Sequence, residues 1–93
     1  MITQSDLMKL SLWARKNEAR IVFELEGRYD LVVDRYIHAE DKTGRRVSWS
    51  EAFGSLPPGE VLARFKVKRV ILFYKGSKKE MSVKDVKSIV KGL

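Results

Sequence analysis

Hydrophobic residues recur along this chain with two different periods. In residues 3–17, Leu7, Leu10 and Ala14 fall on one side at helical spacing, and Met8, Leu12 and Trp13 broaden the stripe. Thr3 followed by Asp6 is the pairing of a capping box, so the spacing predicts a helix that opens at Thr3 and covers a sheet. The stretch RIVFELEGRYDLVVDRYIHAED then alternates with period two on either side of Gly27. A three-residue loop of Gly27, Arg28 and Tyr29 sets Leu25 opposite Leu31 and Phe23 opposite Val33. That register keeps Ile21, Phe23, Leu25, Leu31, Val33 and Ile37 on one side, and leaves Glu24, Glu26, Asp30 and Asp34 on the other.

Asp41, Lys42, Thr43 and Gly44 read as a turn ended by a glycine, followed by a short strand over residues 45–49. SEAFG reads as one helical turn capped by Ser50, and SLPPGE as a loop with Pro58 and Gly59 at the centre of a type II turn. Next, Ala63, Phe65 and Val67 alternate with Arg64, Lys66 and Lys68, the pattern of a half-buried strand. Arg69 breaks the phase before the apolar run of residues 70–74, and a bulge near Lys68 and Arg69 would restore the core face and bend the strand. KGSK reads as a tight hairpin turn with Gly76 first, followed by a return strand over residues 79–81. Ser82 with Asp85 caps a last helix that buries Val83, Val86, Ile89 and Val90 and points Lys84, Lys87 and Lys91 outward. The expected fold is α+β: a single curled antiparallel sheet of about five strands, in the order α-β-β-β-β-β-α, between N- and C-terminal helices. Closure of that sheet toward a small barrel is the alternative.

Length and composition narrow the function classes. At 93 residues the chain supports one core, so residues 1–93 read as a single domain. Cysteine is absent, which excludes disulfides, thiolate metal sites and cysteine nucleophiles. No apolar run approaches the roughly 20 residues that span a bilayer, and MITQSDLMKL lacks the features of a secretory signal. A cytoplasmic location without membrane association is the expectation. Asn17 and Gln4 are the only side-chain amides, which beside abundant Lys, Arg and Glu suggests a thermophilic source.

Charge changes the picture most. Residues 1–60 hold 9 Lys/Arg against 10 Asp/Glu, whereas residues 61–93 hold 10 against 2, so the net +7 lies wholly in the last third. Ion-pair networks of a heat-stable protein predict mixed signs, not segregation. Alternate strand residues stand roughly 6.5–7 Å apart, so Arg64, Lys66 and Lys68 would form a row able to track a phosphate backbone. Arg69, Lys75, Lys78 and Lys79 extend that field, and Tyr36, Trp49 and Tyr74 are candidate stacking platforms. Phe23, Phe53, Phe65 and Phe73 are assigned to the core. The competing reading pairs these cations with the acids of the first hairpin.

Catalysis is poorly provisioned. His38 is the only histidine and reads as a solvated or hydrogen-bonded surface residue. Glu24, Glu26, Asp30 and Asp34 could hold a divalent cation, but cross-strand pairing with basic residues is the preferred reading, so no metal or cofactor is expected. No P-loop, G-x-G-x-x-G, H-E-x-x-H or G-x-S-x-G motif is present. The string GSKKE resembles part of the double-stranded-RNA-binding domain. Glu80 and Met81 nevertheless stand before the Ser82 cap, where that domain opens its last helix with lysines. The leading expectation is a non-catalytic nucleic-acid-binding domain of low sequence specificity, with RNA favoured over DNA. A protein-interaction module, either a homodimer or an accessory subunit, is the alternative. A metal-independent ribonuclease using His38 is the third reading.

Overall fold

A computed structural model describes all 93 residues. Helix α1 (Gln4–Asn17) is followed by strands β1 (Arg20–Leu25), β2 (Tyr29–Val33), β3 (Ile37–Asp41) and β4 (Arg46–Val47). Helices α2 (Trp49–Phe53) and α3 (Pro58–Arg64) then lead to β5 (Val67–Tyr74), β6 (Ser77–Met81) and α4 (Val83–Lys91). The fold is α+β, with one antiparallel sheet of six strands in the order β4-β3-β2-β1-β5-β6. The sheet stays open rather than closing into a barrel, with β4 and β6 as its edges.

Both terminal helices start as their sequences dictate. The Thr3 hydroxyl accepts from the Asp6 N–H while the Asp6 carboxylate accepts from the Thr3 N–H, and Ser82 and Asp85 repeat the device at α4. Leu7, Leu10 and Ala14 of α1 meet Val61 of α3, Val86 and Val90 of α4, and one face of the sheet. That face carries Ile21, Phe23, Leu25, Leu31, Val33, Ala39, Val70 and Met81. Burying each large side chain here contributes about 1.5–3 kcal/mol. The apolar stripe of α1 is narrower than its sequence suggests. Met8 and Leu12 are exposed because the helix lies on a single layer and its far side meets water, and Val83 of α4 is exposed for the same reason.

The sheet departs from the sequence-based expectation in four places. Phe23 pairs with Leu31 and Ile21 with Val33, so the first loop is Glu26, Gly27 and Arg28, with Glu26 in the turn rather than on the sheet. The faces are preserved, but Asp30 fixes the register. Its carboxylate accepts the Leu25 N–H and the Lys42 ammonium, and Lys42 also donates to the Leu25 carbonyl. The expected second strand is broken at Asp34, whose carboxylate accepts the Tyr36 N–H at 3.1 Å in a tight turn that presents Arg35 and Tyr36. Ser48, not Ser50, caps α2. At the last hairpin the two-residue turn is Lys75-Gly76, with φ of 50° and 76°, rather than Gly76-Ser77.

The largest departure is α3. Residues 58–64 are helical where alternation suggests a turn and a strand, because Pro58 occupies the first helical position and Glu60 pairs with Arg64 one turn later. Gly59 is required by contact: a Cβ there would lie 2.9 Å from the Gln4 backbone nitrogen, so α3 closes against the start of α1. The expected bulge in β5 is present, with Glu24 opposite Arg69 and Leu25 opposite Val67, so Lys68 is the extra residue.

Asp6 and Lys87 join the two terminal helices at 2.6 Å. The bond from Lys87, and after it the Thr3 N–H, holds the Asp6 carboxyl at about 2, below its ordinary 3.8. A pKa lowered by folding stabilises the protein above the ordinary value and ceases to do so as pH falls through the folded one. Thermal unfolding should therefore fall in midpoint between pH 3.8 and about 2, and Lys87→Met should lessen that fall. Identical acid profiles in calorimetry would remove the Asp6–Lys87 tie from the account.

Candidate nucleic-acid interface

The sheet face away from the helices carries an apolar strip roofed by charge. Val22 pairs with Val32 and Ile71 across β2, β1 and β5, and all three are buried although no helix covers them. The cover is side-chain ion pairs. Arg20 donates from both terminal nitrogens to the two oxygens of Glu40, reaching from β1 across β2 to β3. His38 places Nε2 2.8 Å from Glu40 Oε2, with Nδ1 3.5 Å from Asp34. Contrary to its expectation as a surface residue, His38 is buried, because it lies directly opposite Val32 beneath these carboxylates.

Burial alone would raise the Glu40 pKa, but the bonds from Arg20 and His38 outweigh it and hold the carboxyl below its ordinary value. The same bonds raise the Arg20 guanidinium, chiefly through Glu40. Elsewhere on this face Asp30 is held by Lys42, and Glu24 by Arg69 at 3.0 Å. Of the early acids, Glu24, Asp30 and Asp34 thus have basic neighbours, and Glu26, exposed in the first turn, has none. No group of three or more His, Asp or Glu is arranged to hold a metal ion.

The proposed basic row does not survive as one line. Arg64 belongs to α3 and pairs with Glu60, while Arg69 is shared between Glu24 and Glu80. Lys66 and Lys68 are exposed and form no ion pair, but they lie at the start of β5, roughly 20 Å along the strand from the hairpin tip. At the tip, Lys75 and Lys78 are also exposed and unpaired. Their ammonium groups sit 5.3 Å and 5.9 Å from the rings of Tyr74 and Phe73. Lys79 points to the helix side of the sheet, where with Lys84 it adds a minor lowering of Asp85, whose pKa is depressed chiefly by bonds from Ser82. Of the ten basic residues after position 60, Arg64, Arg69 and Lys87 are paired and seven are not.

The aromatic candidates sort differently from the expectation. Trp49 is half-buried, edge-on to Phe53, and donates from Nε1 to the Leu56 carbonyl, so it offers no platform. Tyr74 is half-buried against Trp13. Tyr36 is 58% exposed, and Phe73, expected in the core, stands 37% exposed on the outer face because the β5 bulge sets its phase.

A second set of cations escaped the sequence reading. Arg15, Arg20, Arg35 and Arg46 line one cleft of about 580 Å³ with Tyr36, Asp34 and Glu18. Arg15 donates to the Arg35 carbonyl at 2.9 Å and lies 5.9 Å from the Tyr36 ring. Arg46 sits opposite Glu40 on the edge strand yet forms no ion pair, since both Glu40 oxygens are already taken. Arg35 is likewise unpaired. A neighbouring cleft runs from Glu18 and Arg20 to Phe73, Lys75 and Lys78, so the arginine cleft and the hairpin tip share a wall. The only local hint was Asp34 before Arg35, the turn former that breaks the long strand.

Glu40→Ala would take from Arg20 both of its hydrogen bonds and from His38 its 2.8 Å partner, leaving Asp34 as the nearest carboxylate to each. The expected loss is about 2 kcal/mol, less than for a fully buried pair because Arg20 still reaches water, and roughly 10 °C in Tm for a domain of this size. A Tm unchanged by the substitution would mean that this network does not hold the face together. No helix of the protein is long and apolar enough to cross a membrane. The chain matches no protein-family model, and no curated protein or solved structure is significantly similar to it.

Proposed function

We propose that this protein is a small non-catalytic nucleic-acid-binding domain that grips phosphates at one end of its sheet with little sequence preference. The observation that carries this reading is the convergence of unpaired cations there. Arg35 and Arg46 of one cleft and Lys75 and Lys78 of the next are joined by a shared wall at Glu18 and Arg20. Like charges gathered on one surface repel unless a polyanion neutralises them, and counterion release from nucleic acid then drives association. Exposed Tyr36 and Phe73 lie among these cations and suit contact with bases. Lys66 and Lys68 form a lesser outlying patch.

A protein-interaction module draws support from another surface. Met8, Leu12 and Leu93 are exposed, and Leu12 and Leu93 line a common cleft with Trp13. The edge strand β6, in contrast, carries Lys78, Lys79 and Glu80, charges that discourage strand addition.

Titration of labelled RNA and DNA across a salt series tests the leading reading. Affinity should fall linearly on a log–log plot, and Lys75→Ala with Lys78→Ala should weaken binding and flatten the slope by about 1.4 if two single-strand phosphate contacts are lost. Affinity indifferent to salt, or untouched by the double substitution, would refute phosphate gripping by the hairpin.

A further inference from the structure

We infer that the arginine cleft is a subsite for one unpaired nucleotide, so that the preferred partner is single-stranded; this rests on the nucleic-acid reading above. The cleft lies between the end of α1 and the β2–β3 turn, and its volume of about 580 Å³ falls within the range of small-ligand sites. Its chemistry is that of a nucleotide's two halves. Arg35 and Arg46 offer guanidinium forks with no carboxylate partner, and such forks match phosphate oxygens in bidentate geometry. Tyr36 offers an exposed ring with a cation, Arg15, already lying over it. Bases stack on such rings whatever their identity.

The acids do not cancel this site. Asp34 lies 3.6 Å from Arg20 and accepts the Tyr36 N–H, so it and Glu18 are the two carboxylates of the cleft against the four guanidinium groups of Arg15, Arg20, Arg35 and Arg46. A duplex keeps its bases stacked inside and would leave Tyr36 idle, whereas a flexible strand can lay successive phosphates from Lys75 and Lys78 past Arg20 into the cleft.

Tyr36 permits a clean test, because its turn is closed by the Asp34 carboxylate and backbone groups rather than by the phenol ring. Fluorescence anisotropy would compare three probes: a single-stranded oligouridylate of about eight nucleotides, a G·C-rich hairpin duplex closed by a short loop, and uridine monophosphate. The length lies within the roughly 4–16 nucleotides that a small single-strand-binding domain covers. Tyr36→Ala should weaken the single strand about tenfold, Tyr36→Phe should stay within about twofold of the parent, and neither should alter duplex affinity. Arg35→Ala with Arg46→Ala should likewise weaken the single strand more than the duplex. Equal losses for both probes, or no loss with Tyr36→Ala, would overturn the subsite while leaving phosphate gripping intact. Uridine monophosphate binding as tightly as the oligomer would overturn it in favour of a free-nucleotide site. Binding of neither oligomer by the parent protein would remove the nucleic-acid reading itself, and the subsite with it.

Discussion

The charge layout of this molecule depends on the Arg20–Glu40 pair. Glu40 is 5% exposed, and a carboxylate so placed is tolerable only when its lone pairs are filled. Arg20 fills both oxygens from two strands away, and His38 adds a third bond from its own strand. The bridge spans β2 above Val32 and keeps water from an apolar strip that no helix reaches. One bond set therefore seals the sheet and uses up an acid.

That consumption decides where positive potential is left. On the outer face Glu40 is bound by Arg20 and His38, Asp34 lies 3.6 Å from Arg20, Asp30 pairs with Lys42, and Glu24 and Glu80 share Arg69. Arg46, although directly opposite Glu40, is left without a counter-charge, as are Arg35, Lys75 and Lys78 around the same end of the sheet. The competing structural reading, in which acids cap the late cations one by one, holds at Arg69 and stops there for the first hairpin. Ion-paired and unpaired cations are both present, on different parts of one sheet.

The layout was legible wherever short-range rules act. Capping boxes at Thr3 and Ser82, the core stripe of Leu7, Leu10 and Ala14, and the bulge at Lys68 follow from spacing and phase, and the structure contains each. Local alternation misled where a tertiary contact outranked it. Residues 63–68 alternate like a strand, yet Pro58 opens a helix that runs to Arg64 and that Gly59 allows to close on Gln4. The arginine cleft was illegible for a related reason. Its members come from α1, the β2–β3 turn and the edge strand β4, which are remote in sequence and dilute in a region whose net charge is near neutral. Counting charge along the chain located Lys75 and Lys78 but could not foresee that Glu40 would prefer Arg20 to the adjacent Arg46.

The central claim is that unpaired cations gather at one end of the sheet and form the contact surface. Chemical-shift mapping of isotopically labelled protein with a short single-stranded RNA tests it residue by residue. The account predicts perturbation of Arg15, Arg35, Tyr36, Arg46, Lys75 and Lys78, weaker effects at Lys66 and Lys68, and none at Met8 or Leu12. Shifts centred on Met8, Leu12 and Leu93, or absent at saturating RNA, would contradict it.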